Sequence, residues 1–162
     1  MTTMTGDNEK RFSGVYEQRL WGSRESASGP GSERAAPTVL LALHVLDTVI
    51  REHGIRSMAD IPCGDFNWMP ELLAAHSDLT YVGYDVVPAL IRDIRVSHPT
   101  HDFRLLDITQ TTPERADLIF SKDLLNHLSE ADVWAALGNM VASGGDWLLV
   151  TTNRGFENVD LE

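Results

Sequence analysis

Carboxylates recur at one kind of place in this chain. Asp60, Asp85 and Asp107 each close a short, mostly apolar run, and a fourth such run, DLIF, is followed by Ser121-Lys122-Asp123. A row of acids like this suits a ligand that presents several hydroxyl or amino donors. The two oxygens of Asp85, with Val86 beside it, match the vicinal hydroxyls of a ribose. Asp107 is expected to accept an exocyclic amine, while the Ile108 backbone N–H meets the neighbouring ring nitrogen.

The stretch ADIPCGDFNW, residues 59–68, surrounds the first of these acids. Gly64 is expected to let the backbone approach a ligand closely. A pyrophosphate needs free backbone N–H groups at a helix start and no carboxylate in the way. Here Pro62 donates no N–H and Asp65 adds negative charge, so the turn favours a ligand with a cationic or zwitterionic middle. S-adenosylmethionine, with its sulfonium and amino-acid tail, fits that description, and NAD fits it poorly. Cys63 raises the idea of a nucleophile, because a thiol at a helix start can ionise more readily. The acids at Asp60 and Asp65 oppose a thiolate, and no pattern supplies a paired base. Cys63 is therefore read as a small buried residue on the ligand side. His98 and His101 (SHPTHD) are read as solvated, and no metal site is expected.

The elements that must hold these residues alternate along the chain. Residues 1–34 are polar and rich in Gly and Ser, an arm or lid in which Phe12, Tyr16, Leu20 and Trp21 allow one short amphipathic helix. Residues 35–162 are read as the ligand-binding α/β domain. Its helices are expected over 35–53, ending at Gly54, then over 68–76, over 88–97 opened by Pro88, and over 130–141. Ser129 caps the last of these, with Asp132 at the capping-box position. Strands are expected over 56–61, 80–85, 103–106, 117–121 and 147–151. Trp68, Trp134 and Trp147 are read as packing residues. The pattern predicts a doubly wound, mostly parallel sheet of five strands with helices on both faces. In such sheets ligands bind outside the carboxyl ends of the strands, which is where the acids fall.

A formal net charge of -11 repels phosphate backbones and anionic lipid, so neither nucleic acid nor a membrane is the expected partner. The single cysteine excludes an intrachain disulfide, no apolar run approaches spanning length, and MTTMTGDNEKRF lacks a signal-peptide core. A soluble, cytoplasmic protein is expected.

ADIPCGDFNW, VGYD, LLDI and ADLIFSKDLLNHLS, in this order, make the chain resemble the class I S-adenosylmethionine-dependent methyltransferases. With Trp21 and SGPGS, it is similar to a bacterial branch whose first motif reads Asp-Ile-Pro-Cys-Gly-Asp-Phe-x-Trp; the match runs over about residues 21–160. The resemblance implies S-adenosylmethionine as cofactor, with Asp60, Pro62, Cys63 and Gly64 against its methionine portion and Asp85 on the ribose. It places Asp107 and Ile108 beside the adenine, and the backbone around Ser121 and Lys122 near the amino group or the methyl. Trp21, Gly31 and Ser32 would close over the cofactor. His127 follows the fourth strand, where an acceptor approaches; it is read either as a general base or as a packing and capping residue. Asp123 has the same two readings. Methyl transfer is an in-line displacement that positioning alone can promote, so a base is not required.

Relatives of this kind add two more strands after the fifth, and the nine residues after Asn153 cannot supply them. The strand over Trp147–Val150 is therefore expected to be an open apolar edge, inviting a homodimer unless the arm covers it. Three functions compete: methyl transfer to a small-molecule O or N acceptor; a module that binds the cofactor without turnover; and a nicotinamide-dependent oxidoreductase. The lack of G-x-G-x-x-G and the extra acid Asp107 count against the last.

Overall fold

A computed structural model describes residues 7–152. The final residues, 153–162, on which the expectation of missing strands rests, lie outside the described residues. After helix α1 (Asp7–Glu17) and an irregular segment come α2 (Pro37–His53), β1 (Ser57–Asp60), α3 (Met69–Ala75), β2 (Thr80–Asp85) and α4 (Pro88–Ser97). Then follow β3 (Asp102–Leu105), β4 (Leu118–Ser121), α5 (Glu130–Ala142) and β5 (Trp147–Val150). Single 3-10 turns lie at Pro30–Ser32 and Leu125–His127.

All pairings are parallel, in the order β3-β2-β1-β4-β5, so the chain reverses direction across the sheet between β1 and β4. This is the doubly wound architecture that the alternation of elements predicts. Helices α2, α3 and α4 pack on one face with Met58, Tyr81, Phe103, Leu118 and Phe120. Helix α5 packs on the other with Ala59, Ile61, Tyr84 and Ile119. Strand β4, LIFS, is buried along its whole length because both faces are covered.

Local chemistry fixes the element ends. Proline occupies the first turn of α2, α3 and α4, where its missing N–H is not needed. Gly54 ends α2 in the left-handed region at φ 62°, and the Ser129 hydroxyl caps α5 by accepting from the Asp132 N–H at 3.2 Å. Gly83 has to be glycine: a Cβ there would lie 2.8 Å from Phe103 and 2.9 Å from both Cys63 and Tyr81.

Two expectations need correction. Strand β3 starts and ends one residue earlier than predicted; the Leu106 N–H still donates to the Asp85 carbonyl at 2.9 Å, and the polar loop DITQTTPE begins at Asp107. Trp134 does not pack; it is 66% exposed, whereas Trp68 is buried. The buried positions of α5 are Ala136 and Met140, and Trp134 stands two residues, about 200°, around the helix from Ala136. At the sheet's outer strand Trp147 and Leu148 are 44% and 41% exposed, although Trp147 stacks on His53 at 3.9 Å. The described part of the arm does not cover this edge; α1 lies across the sheet end, packing against α4 with Phe12 in both apolar layers. Among the described residues no helix is long and apolar enough to cross a membrane.

Candidate functional site

The turn after β1 is threaded between its neighbours. The Ile61 N–H donates to the Phe120 carbonyl at 2.9 Å and the Cys63 N–H to the Tyr84 carbonyl at 2.8 Å, which extends the ladder past the strand ends. Gly64 follows in the left-handed region at φ 56°. Its N–H donates to Asp85 Oδ2 at 3.2 Å, and the Val87 N–H donates to Asp85 Oδ1 at 3.0 Å. Asp85 thus ties the first turn to the second, with the Val86 N–H also turned to its carboxylate.

Burial dominates the electrostatics here. It pushes the Asp85 carboxyl up to about 6 and that of Asp60 up to about 7. The Tyr81 hydroxyl, donating to Asp60 Oδ2 at 2.8 Å, pulls the other way. Burial also drives the Cys63 thiol well above its usual range, with Asp85 and Asp60 adding to the effect. The thiol stays protonated and serves as lining.

Two lobes of one cleft meet at Pro62, which lines both. The first spans about 310 Å³ of space open to solvent and is mostly apolar, walled by Phe12, Val86, Leu106, Ile108, Leu124 and Leu128, with Asp85 and Asp107 as its acids. The second, about 530 Å³, is walled by Asp60, Cys63, Gly64, Trp68, Lys122, Asp123 and His127 from the sheet side. The arm closes it with Tyr16, Trp21, Ser28 and Ser32. Of the residues expected at the cofactor, Gly31 and Ser121 line neither lobe; the Gly31 carbonyl instead accepts from Lys122, and Ser121 is held in the sheet. Its carbonyl accepts from the Thr151 N–H at 3.0 Å, and its hydroxyl is buried without a protein partner.

The remaining acids are already engaged. Asp107 Oδ1 accepts from the Thr109 N–H at 3.0 Å and the Thr109 hydroxyl at 2.7 Å, so it shapes its own turn while facing the first lobe. The Lys122 ammonium is buried and donates to the Gly31 carbonyl at 2.9 Å and to Asp123. Asp123, in the left-handed region at φ 55°, donates its N–H to Thr151 Oγ1 at 2.8 Å, and that hydroxyl donates back to Asp123 Oδ1 at 3.4 Å. The His127 ring lies against Trp21 at 5.7 Å. Burial lowers its pKa and Asp123 opposes the shift, leaving a neutral imidazole able to accept a proton at neutral pH.

Other residues were placed differently by sequence reasoning or missed by it. Asp65 does not face the cleft as a free charge; its carboxylate is taken by the arm residues Ser26 and Ala27. The atom that comes closest to Gly64 belongs to the chain itself, since a Cβ there would lie 2.4 Å from Ser28 Oγ. His98 and His101 are half-buried rather than solvated, with rings 4.8 and 5.1 Å from that of Phe66. Among the described residues no His, Cys, Asp and Glu side chains group as a metal site. Tyr16 and Phe12 carried a signal in their four-residue spacing, which places them on one helix face. Ser28 and Tyr81 carried none.

No family model and no curated protein matches this chain. Solved structures do. A TehB-like SAM-dependent methyltransferase from Corynebacterium glutamicum superposes with a TM-score of 0.61 at 20% identity, over 90% of this chain and 75% of its own. An amino pentose methyltransferase from Micromonospora echinaspora, solved with SAM bound, gives 0.53 at 21% identity, over 64% of this chain and 44% of its own. A Rhodobacter sphaeroides protein described as a zinc-dependent alcohol dehydrogenase gives 0.55 at 17% identity, over 70% of this chain and 47% of its own. The chain therefore spans only about half the length of two of these three structures. At such identities the likeness shows the fold, a Rossmann-like one found in methyltransferases, and leaves the chemistry to the site.

Proposed function

We propose that this chain binds S-adenosylmethionine and supports methyl transfer to a small-molecule O or N acceptor. The observation that carries the reading is the joined cleft, an apolar lobe ending at Asp85 and Asp107 and an acidic, aromatic lobe around Asp60. The first lobe offers Val86, Leu106 and Ile108 to a purine face and Asp107 to its exocyclic amine. Asp85, oriented by the Gly64 and Val87 N–H groups, faces this lobe as the acceptor for two vicinal hydroxyls. Asp60 lines the second lobe and offers its carboxyl to a cationic group there. The flat pyrophosphate cradle that a nicotinamide cofactor needs is replaced by Pro62 and by N–H groups spent on Asp85 and Ser28. The methyltransferases among the structural neighbours support the same reading.

When bound, the cofactor supplies an activated methyl carbon. The chain's own residues bind and orient around it: Trp21 and Trp68 exclude water, and His127 can take the acceptor's proton once the nitrogen or oxygen commits its lone pair. Asp123 pairs with Lys122 and lines the same lobe as His127, where it can orient the acceptor. A net charge of -11 supports a small acceptor over nucleic acid. We also propose that β5 self-pairs between two chains, on the strength of the exposed Trp147 and Leu148; a monomer in sedimentation velocity ends that proposal.

Isothermal titration with S-adenosylmethionine, S-adenosylhomocysteine and NAD tests the main reading. Heat with the sulfur compounds and none with NAD is expected, and no heat with either sulfur compound overturns it. Methyl release over a panel of amines and alcohols then separates transfer from binding without turnover.

A further inference from the structure

Residues 23–34 form an irregular segment whose only regular piece is the 3-10 turn Pro30–Ser32. No large apolar side chain in it is buried; its buried residues are Ser26 and Gly29. What fixes it is a set of polar contacts to the turn after β1. Asp65 Oδ1 accepts from the Ser26 hydroxyl at 3.1 Å, and Oδ2 accepts from the Ala27 N–H at 2.6 Å. The Asp65 N–H donates in turn to Ser28 Oγ at 3.0 Å, and that hydroxyl lies 2.8 Å from the Tyr16 hydroxyl. Two residues on, Asn67 Nδ2 donates to Glu25 Oε1 at 2.8 Å and to the Ser32 carbonyl at 3.0 Å. The Asn67 carbonyl accepts from Arg34 Nε at 3.0 Å. Gly64 makes room for the contact, because any side chain there would strike Ser28.

We propose that Asp65 and Asn67 are positioning residues that latch this segment over the cleft and thereby set Trp21, Ser28 and Ser32 as the wall of its larger lobe. The latch is made of bonds to one ionised acceptor and one side-chain amide, with little apolar burial behind it. Bonds to an ionised acceptor are the strong ones, and a segment held by few of them opens locally without unfolding the core. A ligand that fills the space between arm and sheet passes this segment to enter or leave. The effect on ligand traffic rests on the methyl-donor reading above; the latch does not.

Hydrogen exchange followed by mass spectrometry on the full chain, without ligand, tests it. In Asp65→Asn and in Asn67→Ala, amides of 23–34 are expected to exchange roughly tenfold faster or more, while β1, β2 and β4 keep their protection. Ser26→Ala, which removes one bond and no charge, should give a smaller acceleration in the same segment. Unchanged exchange of 23–34 in both Asp65→Asn and Asn67→Ala overturns the proposal. So does acceleration of the strands in step with the segment, which would make these residues general supports of the fold. With S-adenosylhomocysteine as probe, Asp65→Asn is expected to release ligand several-fold faster than the natural chain. A release rate equal to the natural chain's would overturn the control of access. If the natural chain binds no sulfur compound at all, the functional reading fails, and the exchange rates alone decide the latch.

Discussion

The sheet end and the arm enclose the same cleft, yet they are held by different physics. Asp60 and Asp85 end buried strands, and Cys63 and Gly64 sit on the turn whose N–H groups continue the β1 ladder. The arm meets them from outside through hydroxyls, one carboxylate and one side-chain amide. Damage to the first should cost binding and stability together. Damage to the second should alter access and leave the core intact. The difference teaches where rigidity is stored: in the side that recognises, and not in the side that closes.

The largest expected effect tests the rigid side. Gly83→Val puts side-chain atoms against Phe103, Cys63 and Tyr81, and should destabilise the protein by about 3 kcal/mol in urea denaturation. A loss below 1 kcal/mol would show that this side yields as readily as the arm. Next, Asp85→Ala should weaken S-adenosylmethionine binding by about 2 kcal/mol, roughly thirtyfold, as measured by calorimetry. Equal affinity in that variant would move recognition away from the sheet.

Asp60→Asn should act in opposite directions on stability and binding. The folded carboxyl titrates near 7 against an ordinary 3.8, so the folded state holds its proton more tightly than the unfolded chain does. Its contribution to stability therefore declines as pH rises from about 4 to about 7 and is level above that. The variant should gain on the order of 1 kcal/mol at pH 8 relative to the natural chain, lose that advantage near pH 4, and bind the cation less well. Melting curves at the two pH values check this, and a parallel shift at both would refute it. The smallest effect lies outside both regions. Trp134→Ser should change stability by less than about 0.5 kcal/mol, because the side chain has no packing to lose.

The regions also differ in how they can be read from the chain. Strand ends were visible because apolar runs stop at Asp60, Asp85 and Asp107, and helix ends because Gly54, Pro88 and Ser129 mark them. A five-strand parallel sheet follows from that punctuation. The amphipathic spacing of Phe12 and Tyr16 announced α1 but not its place across the sheet end, where Phe12 touches both apolar layers. Asp65 reads as a free charge in a linear sequence, and only the folded chain brings Ser26 and Ala27 to it. Trp134 misled because α5 is short of apolar contrast: its face is set by Ala136 and Met140, two residues of very different size.

The elevated carboxyls of Asp60 and Asp85 make the cleft an exchanger of cations. Near neutral pH part of their acidity is still held as protons, and a sulfonium or ammonium arriving beside them displaces a proton into the buffer. The apparent heat of binding should then vary with the ionisation enthalpy of the buffer, more so at pH 6.5 than at pH 9. On the methyl-transfer reading the spent donor is a neutral thioether, which would leave these carboxyls no cation to face and let them regain a proton from solvent.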